Sequence, residues 1–145
     1  MRDFEAITVR RLNQFEALSY MGKVDDLIEQ FLVKVKLDVL MDVPYIWQNI
    51  AKDFLQLWLL ELEGTIIGIM ATEIKAYLYG REMHHFMTSV YREHKIDWAS
   101  ILQYMEGVAK ELECIRFSCS GRKGWTRLLE KHGYGTCTYS VCKDF

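Results

Sequence analysis

The chain has 145 residues, half of them hydrophobic and 26% charged, which is enough to bury one core and too apolar for a disordered protein. The formal net charge of −2 gives no reason to expect nucleic acid as the main partner. No apolar run reaches the ~18–20 residues of a membrane span, and the start lacks the apolar core of a signal peptide. Without repeats or linkers, residues 1–145 predict a single domain. We therefore expect a cytoplasmic protein whose cysteines are free thiols.

The N-terminal part of the chain predicts one short strand followed by helices. The strand is expected within Phe4 to Leu12, which is rich in β-forming residues. Apolar residues at helical spacing follow, with a break near Gly22: Phe15, Leu18, Val24, Leu27, Ile28 and Phe31. Residues 33–40 alternate apolar with charged side chains, and the pattern leaves them open between helix and strand. Pro44 suits the first turn of a helix that extends to about Phe54.

The middle of the chain predicts three strands and a long helix. Leu57–Leu62 and Thr65–Ile74 are β-rich runs separated by Glu-Gly, which predicts a hairpin. A third run, Met83–Val90, follows a looser connection over residues 75–82. Asp97 suits the N-cap of a helix with a continuous apolar stripe: Trp98, Ile101, Leu102, Met105, Val108 and Leu112.

The C-terminal segment carries the most specific pattern. A short strand over residues 114–118 precedes a helix with Trp125, Leu128 and Leu129 at helical spacing. Gly133 ends that helix, and Thr136 to Val141 predicts a return strand. The order of elements is therefore strand, helices, three strands, helix, strand, helix, strand, which calls for a mixed sheet with helices on both faces.

Residues 129–134, Leu-Glu-Lys-His-Gly-Tyr, resemble the Tyr-Glu-Lys-x-Gly-Phe-like motif of the GNAT acetyltransferase superfamily. The resemblance covers most of the chain, and its motif is most specific over Leu128 to Tyr134. It implies an α/β fold of the GNAT type, with a central, twisted, mostly antiparallel sheet and helices on both faces. It also implies acetyl-CoA as the cofactor of any reaction that the protein carries out.

The loop that binds the cofactor pyrophosphate in this superfamily is altered here. The family places Arg/Gln-x-x-Gly-x-Gly/Ala before the long helix, where glycines let main-chain N–H groups approach the phosphates. The matching loop runs from Arg92 to Asp97, and Lys95 and Asp97 replace both glycines. Arg92 and Lys95 could still contact phosphates as point charges, whereas the Asp97 carboxylate would occupy the anion position. We therefore expect acetyl-CoA binding to be weak or absent; if it occurs, the strand edges near 86–90, including Val90, and near 115–118 would hold the pantetheine arm.

The family's usual proton donor is also missing. Many members use a tyrosine near the end of the penultimate helix to protonate the departing thiolate, and Leu129 occupies that position. Tyr134 is the nearest hydroxyl that could replace it, although an aromatic residue after the helix-ending glycine is normally a packing residue. We interpret both Leu129 and Tyr134 as core residues and keep Tyr134 as the candidate acid of an active enzyme.

Candidate bases for an amine substrate lie on the predicted strands. A neutral histidine suits this role near pH 7, and His85 and Glu73 are our candidates, with Glu82 a further one. His84 and His85 are adjacent, so they point to opposite faces and cannot bind one metal together. The alternative is that one histidine is half-buried and the other solvated. The cysteines form no Cys-x-x-Cys pair, and no metal site is predicted.

Arg122 and Lys123 fall in the first turn of the last predicted helix, where positive charge opposes the helix dipole. This placement indicates either contact with an anionic partner, such as the 3′-phosphate of a nucleotide cofactor, or simply a solvated basic face.

Two classes of function remain open. One is a divergent acyl-CoA-dependent N-acetyltransferase, in which a small amine or a protein amine attacks the thioester directly. The other is a GNAT-shaped protein that has lost the reaction and binds another protein or a second copy of itself. The altered loop and missing tyrosine resemble GNAT-like proteins of tailed phages, for which the location would be the host cytoplasm or the virion. The second class is our prediction, and the many aromatic residues favour an interface.

Overall fold

Five strands form one sheet in the computed structural model, which describes residues 5–91, 94–120, 123–136 and 143–145. The elements in chain order are β1 (Ile7–Arg11), α1 (Gln14–Leu18), α2 (Asp25–Lys34), α3 (Val43–Ala51), β2 (Gln56–Leu62), β3 (Thr65–Tyr77), β4 (Gly80–Val90), α4 (Trp98–Glu111), β5 (Cys114–Cys119) and α5 (Lys123–Glu130). The return strand predicted after Thr136 lies outside the described residues. None of the helices within these ranges is long and apolar enough to cross a bilayer.

The strands lie in the order β1-β2-β3-β4-β5, and each neighbouring pair is antiparallel except β4 and β5, which are parallel. The predicted hairpin is confirmed, because β2 pairs with β3 from Gln56 opposite Thr72 to Leu62 opposite Thr65. Its two turn residues, Glu63 and Gly64, both have positive φ angles, of 50° and 81°. Such angles match the twist of a two-residue hairpin turn, which explains the Glu-Gly sequence.

Helices cover both faces of the sheet. Strand β2 divides its side chains between them, since Leu57 and Leu59 belong to a core that α2 and α3 complete, whereas Trp58 and Leu60 belong to a core that α4 completes. All four side chains are fully buried. The faces are called here the α2/α3 face and the α4 face. The mixed sheet with helices on both faces confirms the predicted fold class.

The connection predicted over residues 75–82 is wrong. Strands β3 and β4 continue as a paired hairpin to Tyr77 opposite Gly80, with only Leu78 and Tyr79 in the turn. The sequence hides this turn because Leu-Tyr is not a usual turn pair, and main-chain pairing with β3 holds the segment extended. Gly80 has a packing reason: an added Cβ would lie 2.4 Å from Cδ1 of Ile115.

Residues 33–40, which the pattern left open, contain the last two residues of α2 followed by a turn, and no strand. Helix α2 ends at Lys34, and the chain then turns through Lys36, whose φ is 59°. Val35 and Leu37 still pack against the core on the α2/α3 face, whereas Val39 and Leu40 are exposed. Tertiary packing of alternate residues therefore produces the strand-like pattern without a strand.

Strand β4 contains a bulge that separates its two halves. Ala71 pairs with Met87 and Thr72 with His85, so Phe86 is an extra residue in β4. Pairing with β5 also stops there, at His85 opposite Cys119, and the N–H of Ser120 donates to the His85 carbonyl at 3.0 Å. Within the described residues, β5 therefore pairs only with the first half of β4. Among the described residues, no strand pairs with the second half, Phe86–Val90, on that side.

Candidate functional site

An aromatic cluster of His85, Trp98 and Trp125 lies on the α4 face, at the point where the pairing of β4 with β5 stops. Trp98 is the first residue of α4, and Trp125 lies on α5. The Trp125 ring centre lies 5.2 Å from that of Trp98 and 6.0 Å from that of His85, both in edge-to-face geometry. Helices α4 and α5 therefore contact each other through their tryptophans at the end of the paired half of β4.

The loop before α4 is tied down by its own side chains and by the N-terminal segment. The Asp97 carboxylate accepts the Ser100 N–H at 3.3 Å and the Ser100 hydroxyl at 2.5 Å. The hydroxyl bond keeps the pKa of Asp97 below its usual value, so the cap is charged. The Lys95 carbonyl accepts from the N–H of Glu5 at 2.9 Å, and His94 pairs with the Glu5 carboxylate at 2.6 Å. A negative charge therefore stands at the positive end of the α4 dipole, as expected of Asp97.

The other predicted cofactor residues are only partly described. Val90 ends β4, and its carbonyl accepts a hydrogen bond from the Gln30 side chain at 3.0 Å, so this edge group is already bonded within the protein. Lys95 is exposed. Arg92 and Arg122 lie outside the described residues, and Lys123 is described only as the first residue of α5.

Tyr134 is held half-buried against the α4 face. Its hydroxyl donates to the Glu106 carboxylate, and its ring lies edge-to-face with Phe117 at 6.3 Å between centres. Burial raises the pKa of Tyr134, and the neighbouring carboxylate raises it further. Its N–H bonds to the Leu129 carbonyl at 3.1 Å, after Gly133 ends the helix with a φ of 88°. Leu129 itself is buried. This is the packing arrangement expected of a helix C-terminus.

The candidate bases His85 and Glu73 lie on different faces. His85 is buried on the α4 face, where its Nε2 lies 2.6 Å from the Thr88 hydroxyl. Burial, with a smaller effect of His84, lowers the pKa of His85 to about 4. Glu73 pairs in register with His84, on the opposite face, and forms an ion pair with Lys75 at 3.4 Å. The two histidines do point to opposite faces, but neither is solvated.

The α2/α3 face of the β4–β5 pair carries a chain of hydrogen-bonded side chains, called here the relay: Glu82, His84, Ser118 and Ser120. The Ser118 hydroxyl donates to Glu82 Oε1 at 3.0 Å and lies 2.7 Å from Nδ1 of His84. The Ser120 hydroxyl lies 2.7 Å from Nε2 of the same ring. Sequence reasoning missed both serines. Their spacing of two residues, matched by that of Glu82 and His84, is the signal that they share one face of paired strands.

The donor and acceptor roles in the relay follow from its carboxylate end. A carboxylate only accepts, so Ser118 gives its proton to Glu82 and must accept from Nδ1–H of His84. The neutral ring then has its lone pair on Nε2, which accepts the Ser120 hydroxyl proton. Burial lowers the pKa of His84, and the charge of Lys75 lowers it further, so the ring is neutral near pH 7.

The relay opens into a groove of about 930 Å³ around β5. Lys75, Tyr77 and Arg116 line it beside the relay, and Leu129 and Tyr134 line it beyond the strand. Arg116 approaches Glu82 Oε2 at 3.8 Å, and Ser120 is exposed. Among the described residues, no group of three or more His, Cys, Asp or Glu side chains is placed to hold a metal ion.

Solved structures with the same architecture extend over nearly the whole chain. A ribosomal-protein-alanine N-acetyltransferase from Brucella melitensis biovar Abortus 2308 superposes with a TM-score of 0.73 at 12% identity, over 97% of this chain and 99% of that one. A transcriptional regulator from Bacillus halodurans C-125 gives 0.71 at 14% identity, over 96% and 99%. A GNAT family acetyltransferase from Staphylococcus aureus gives 0.64 at 16% identity, over 96% and 98%.

No protein-family model and no curated protein sequence matches the chain. At identities this low, the structural similarity establishes the fold alone. The protein has the GNAT fold, as the C-terminal motif predicted, and its particular activity has to be argued from its own residues.

Proposed function

We propose that this GNAT-fold protein does not transfer acyl groups from acetyl-CoA and acts by binding another protein. The observation that carries the proposal is the charged Asp97 cap at the start of α4, where the GNAT resemblance implies pyrophosphate binding, and the aromatic cluster supports it.

The charge of Asp97 opposes pyrophosphate binding. A helix N-terminus attracts anions through its free N–H groups and its dipole. A capping carboxylate already accepts a hydrogen bond from those N–H groups and already interacts favourably with the dipole. A pyrophosphate brought to this end of α4 would have to displace the Asp97–Ser100 hydrogen bonds and would meet a like charge. Lys95 offers one compensating charge, but it is exposed, where an ion pair contributes little.

The aromatic cluster opposes entry of the pantetheine arm. An extended arm needs an open strand edge, and here Trp125 packs against His85 at the end of the β4–β5 pairing while the Gln30 side chain bonds the Val90 carbonyl. Opening this edge would break the contacts of Trp125 with Trp98 and His85. These aromatic contacts contribute roughly 0.5–1.5 kcal/mol each beyond their buried area.

Binding of a protein partner is supported by the tip of the β3–β4 hairpin. Leu78 and Tyr79 are 85% and 89% exposed in the turn, Tyr77 precedes them, and Ile115 on β5 is 76% exposed nearby, against Gly80. Large apolar side chains grouped on one protruding turn favour an interaction site. We name this group the hairpin tip. A second copy of the chain is the alternative occupant. A GNAT-shaped protein of this kind also fits the resemblance to tailed-phage proteins, with a location in the host cytoplasm or the virion.

The test of the cofactor argument is a titration with acetyl-CoA followed by calorimetry and thermal unfolding. A ligand at a hundred times its dissociation constant adds about 2.7 kcal/mol of stability, which raises Tm by roughly 5–10 °C in a domain of this size. We expect no shift for the wild-type chain. Asp97→Asn keeps a capping side chain without the charge, and Lys95→Gly in the same chain restores one glycine. A gain of affinity in that double variant sharpens the argument, whereas low-micromolar binding by the wild type contradicts it.

The test of the partner argument is sedimentation of the wild type and of Leu78→Ser/Tyr79→Ser across a range of concentrations. Self-association that the double variant abolishes identifies a second copy as the occupant. A monomer at every concentration leaves a different protein as the partner, to be sought by cross-linking from position 79. Val39→Ser, also at an exposed apolar position, is the control. A partner captured equally by wild type and double variant would contradict the hairpin tip as the interface.

The second candidate is an N-acetyltransferase, and one observation favours it. His84 is neutral, half-buried and beside Glu73, close to the point where the pairing of β4 with β5 stops. A neutral imidazole there could take a proton from an attacking amine. Acetylation of a set of amines by the wild-type chain, lost in His84→Gln, would favour this candidate over the first.

A further inference from the structure

The relay lies on the face of the sheet opposite Trp98 and Trp125, so its hydrogen bonds do not depend on the aromatic cluster. Three hydrogen bonds of 2.7, 2.7 and 3.0 Å connect an exposed serine to a buried carboxylate through His84 and Ser118. A buried carboxylate such as Glu82 costs free energy unless its charge is used or compensated. The hydrogen-bond directions, fixed from the carboxylate end, leave the free lone pair of His84 facing the Ser120 hydroxyl.

This order of groups is the one that activates a serine. A serine hydroxyl is a weak nucleophile at its ordinary pKa and reacts when an adjacent base takes its proton. Nε2 of His84 is that base. As the ring becomes positively charged, Nδ1–H remains bonded to Ser118, and Ser118 to the Glu82 carboxylate, which stabilises the charge. The carboxylate thus acts on the imidazole through one intervening hydroxyl.

We propose that Ser120 is the nucleophile of a serine-type acyl-transfer site in this groove, with an ester or thioester as the substrate. Ser120 Oγ forms a bond to the acyl carbon and its proton passes to Nε2 of His84. The bond to the alcohol or thiol breaks, and the leaving group takes that proton. Water then attacks the acyl-serine, gives a proton to His84, and the acid is released as Ser120 recovers the proton. His84 is the base and acid, and Ser118 and Glu82 are positioning residues.

The groove provides access for such a substrate. Ser120 is exposed at its edge, and Tyr77 gives the groove of about 930 Å³ an apolar wall on the side of the relay, which suits an acyl chain. Lys75 lines the same groove, and its charge helps to keep His84 neutral. Arg116, at 3.8 Å from Glu82, balances the buried carboxylate without entering the hydrogen-bonded chain.

The experiment uses a fluorophosphonate probe, which reacts when the serine oxygen displaces fluoride from phosphorus. The full-length chain is incubated with the probe, and the labelled residue and rate are read by mass spectrometry. The variants are Ser120→Ala, His84→Gln and Ser118→Ala. Ser19→Ala is the matched control, because its hydroxyl donates to the Glu16 carbonyl. Thermal unfolding of each variant establishes that it is folded, and the exposed Ser120→Ala is expected to unfold like the wild type.

We expect labelling at Ser120 that is absent in Ser120→Ala, slowed ~10²-fold or more in His84→Gln, and unchanged in Ser19→Ala. The labelling rate of Ser118→Ala should lie between those of the wild type and of His84→Gln. This variant keeps the basic nitrogen of His84 but loses the hydrogen bond that orients the ring. Hydrolysis of p-nitrophenyl acetate should follow the same order. A wild type labelled no faster than Ser120→Ala, or labelled at another residue, overturns the proposal. Equal rates for wild type and a folded His84→Gln overturn it as well.

Discussion

The two halves of β4 support opposite kinds of surface. The half beyond the bulge has no β5 partner among the described residues, and the aromatic cluster of His85, Trp98 and Trp125 lies next to it on the α4 face. The half that pairs with β5 carries the relay and opens into the groove. The bulge at Phe86 lies between them. The fold therefore places apolar packing where the GNAT resemblance implies a cofactor. It places the hydrogen-bonded polar groups of the relay on the opposite face of the same strand.

The backbone of the fold provides the strand pairing and the point where it stops, whereas side chains decide which groups lie there. On one face these groups are aromatic rings, and on the other they are the hydrogen-bonded side chains of the relay. Four variants test this difference, and they are given in order of decreasing expected effect.

The largest expected effect belongs to Leu129→Ala, which tests whether the groove wall is packed. Leu129 is buried on α5, so the substitution should cost roughly 2–5 kcal/mol through the cavity that it leaves. Urea unfolding measures the loss, with the half-buried Leu128→Ala as a control on the same helix. An unchanged midpoint for Leu129→Ala would mean that this side chain faces an open cleft, and the interpretation of Leu129 as a core residue would be wrong.

The buried state of His85 predicts a pH dependence of stability. Its folded pKa of about 4 lies below the ordinary 6.5, so the unfolded chain binds the proton more readily between these values. The contribution is complete above about pH 6.5 and is lost as the pH falls to about 4, by at most about 3 kcal/mol. Urea midpoints across this window measure it.

His85→Gln, whose amide can still bond to Thr88, should flatten this dependence. His84→Gln is the matched control, because the pKa of His84 is lowered in the same direction and from a less buried position. If His85→Gln keeps the full pH dependence of the wild type, the buried His85 is not its source, and the interpretation of the aromatic cluster as a dry, packed surface is wrong.

Trp125→Ala tests how tightly the aromatic cluster packs. Trp125 is half-buried, so we expect a loss of about 2 kcal/mol, less than for a fully buried tryptophan. The matched comparison is Tyr45→Ala on α3, an exposed aromatic residue that should cost little. Combined with Asp97→Asn, Trp125→Ala is also the variant most able to gain affinity for acetyl-CoA. If Trp125→Ala unfolds at the same urea concentration as the wild type, this ring does not hold the aromatic cluster together.

Tyr134→Phe has the smallest expected effect, about 1–2 kcal/mol, because it removes one hydrogen bond to the charged Glu106. Glu106→Gln keeps an acceptor and should cost less. No effect on labelling or hydrolysis in the groove is expected, since Tyr134 lies on the α4 face of β5. A loss of ~10²-fold or more in any acyl transfer, with stability unchanged, would identify Tyr134 as a proton donor and contradict the core interpretation.

The sequence by itself determined most of the fold. The change from strand to helix period after Val90, the Glu-Gly turn and Asp97 at a helix start are local features, and each gave the element that the structure has. Local patterns failed where long-range pairing decides. The β3–β4 hairpin extends to Tyr77 and Gly80 because main-chain bonds hold it, and residues 33–40 alternate because two of their side chains pack on the core.

The site was less predictable for the same physical reason. That Asp97 caps a helix and that adjacent histidines face opposite ways follow from the chain alone, whereas Leu129 at the position of a tyrosine is what the GNAT resemblance implies. Ser118 and Ser120 lie more than thirty residues from His84, and only the parallel pairing of β4 with β5 brings their hydroxyls to its ring. The contact of Trp125 with Trp98 likewise depends on how α5 docks beside α4. Spacing along the chain fixes which face a side chain takes, whereas the neighbours it meets there are set by the tertiary structure.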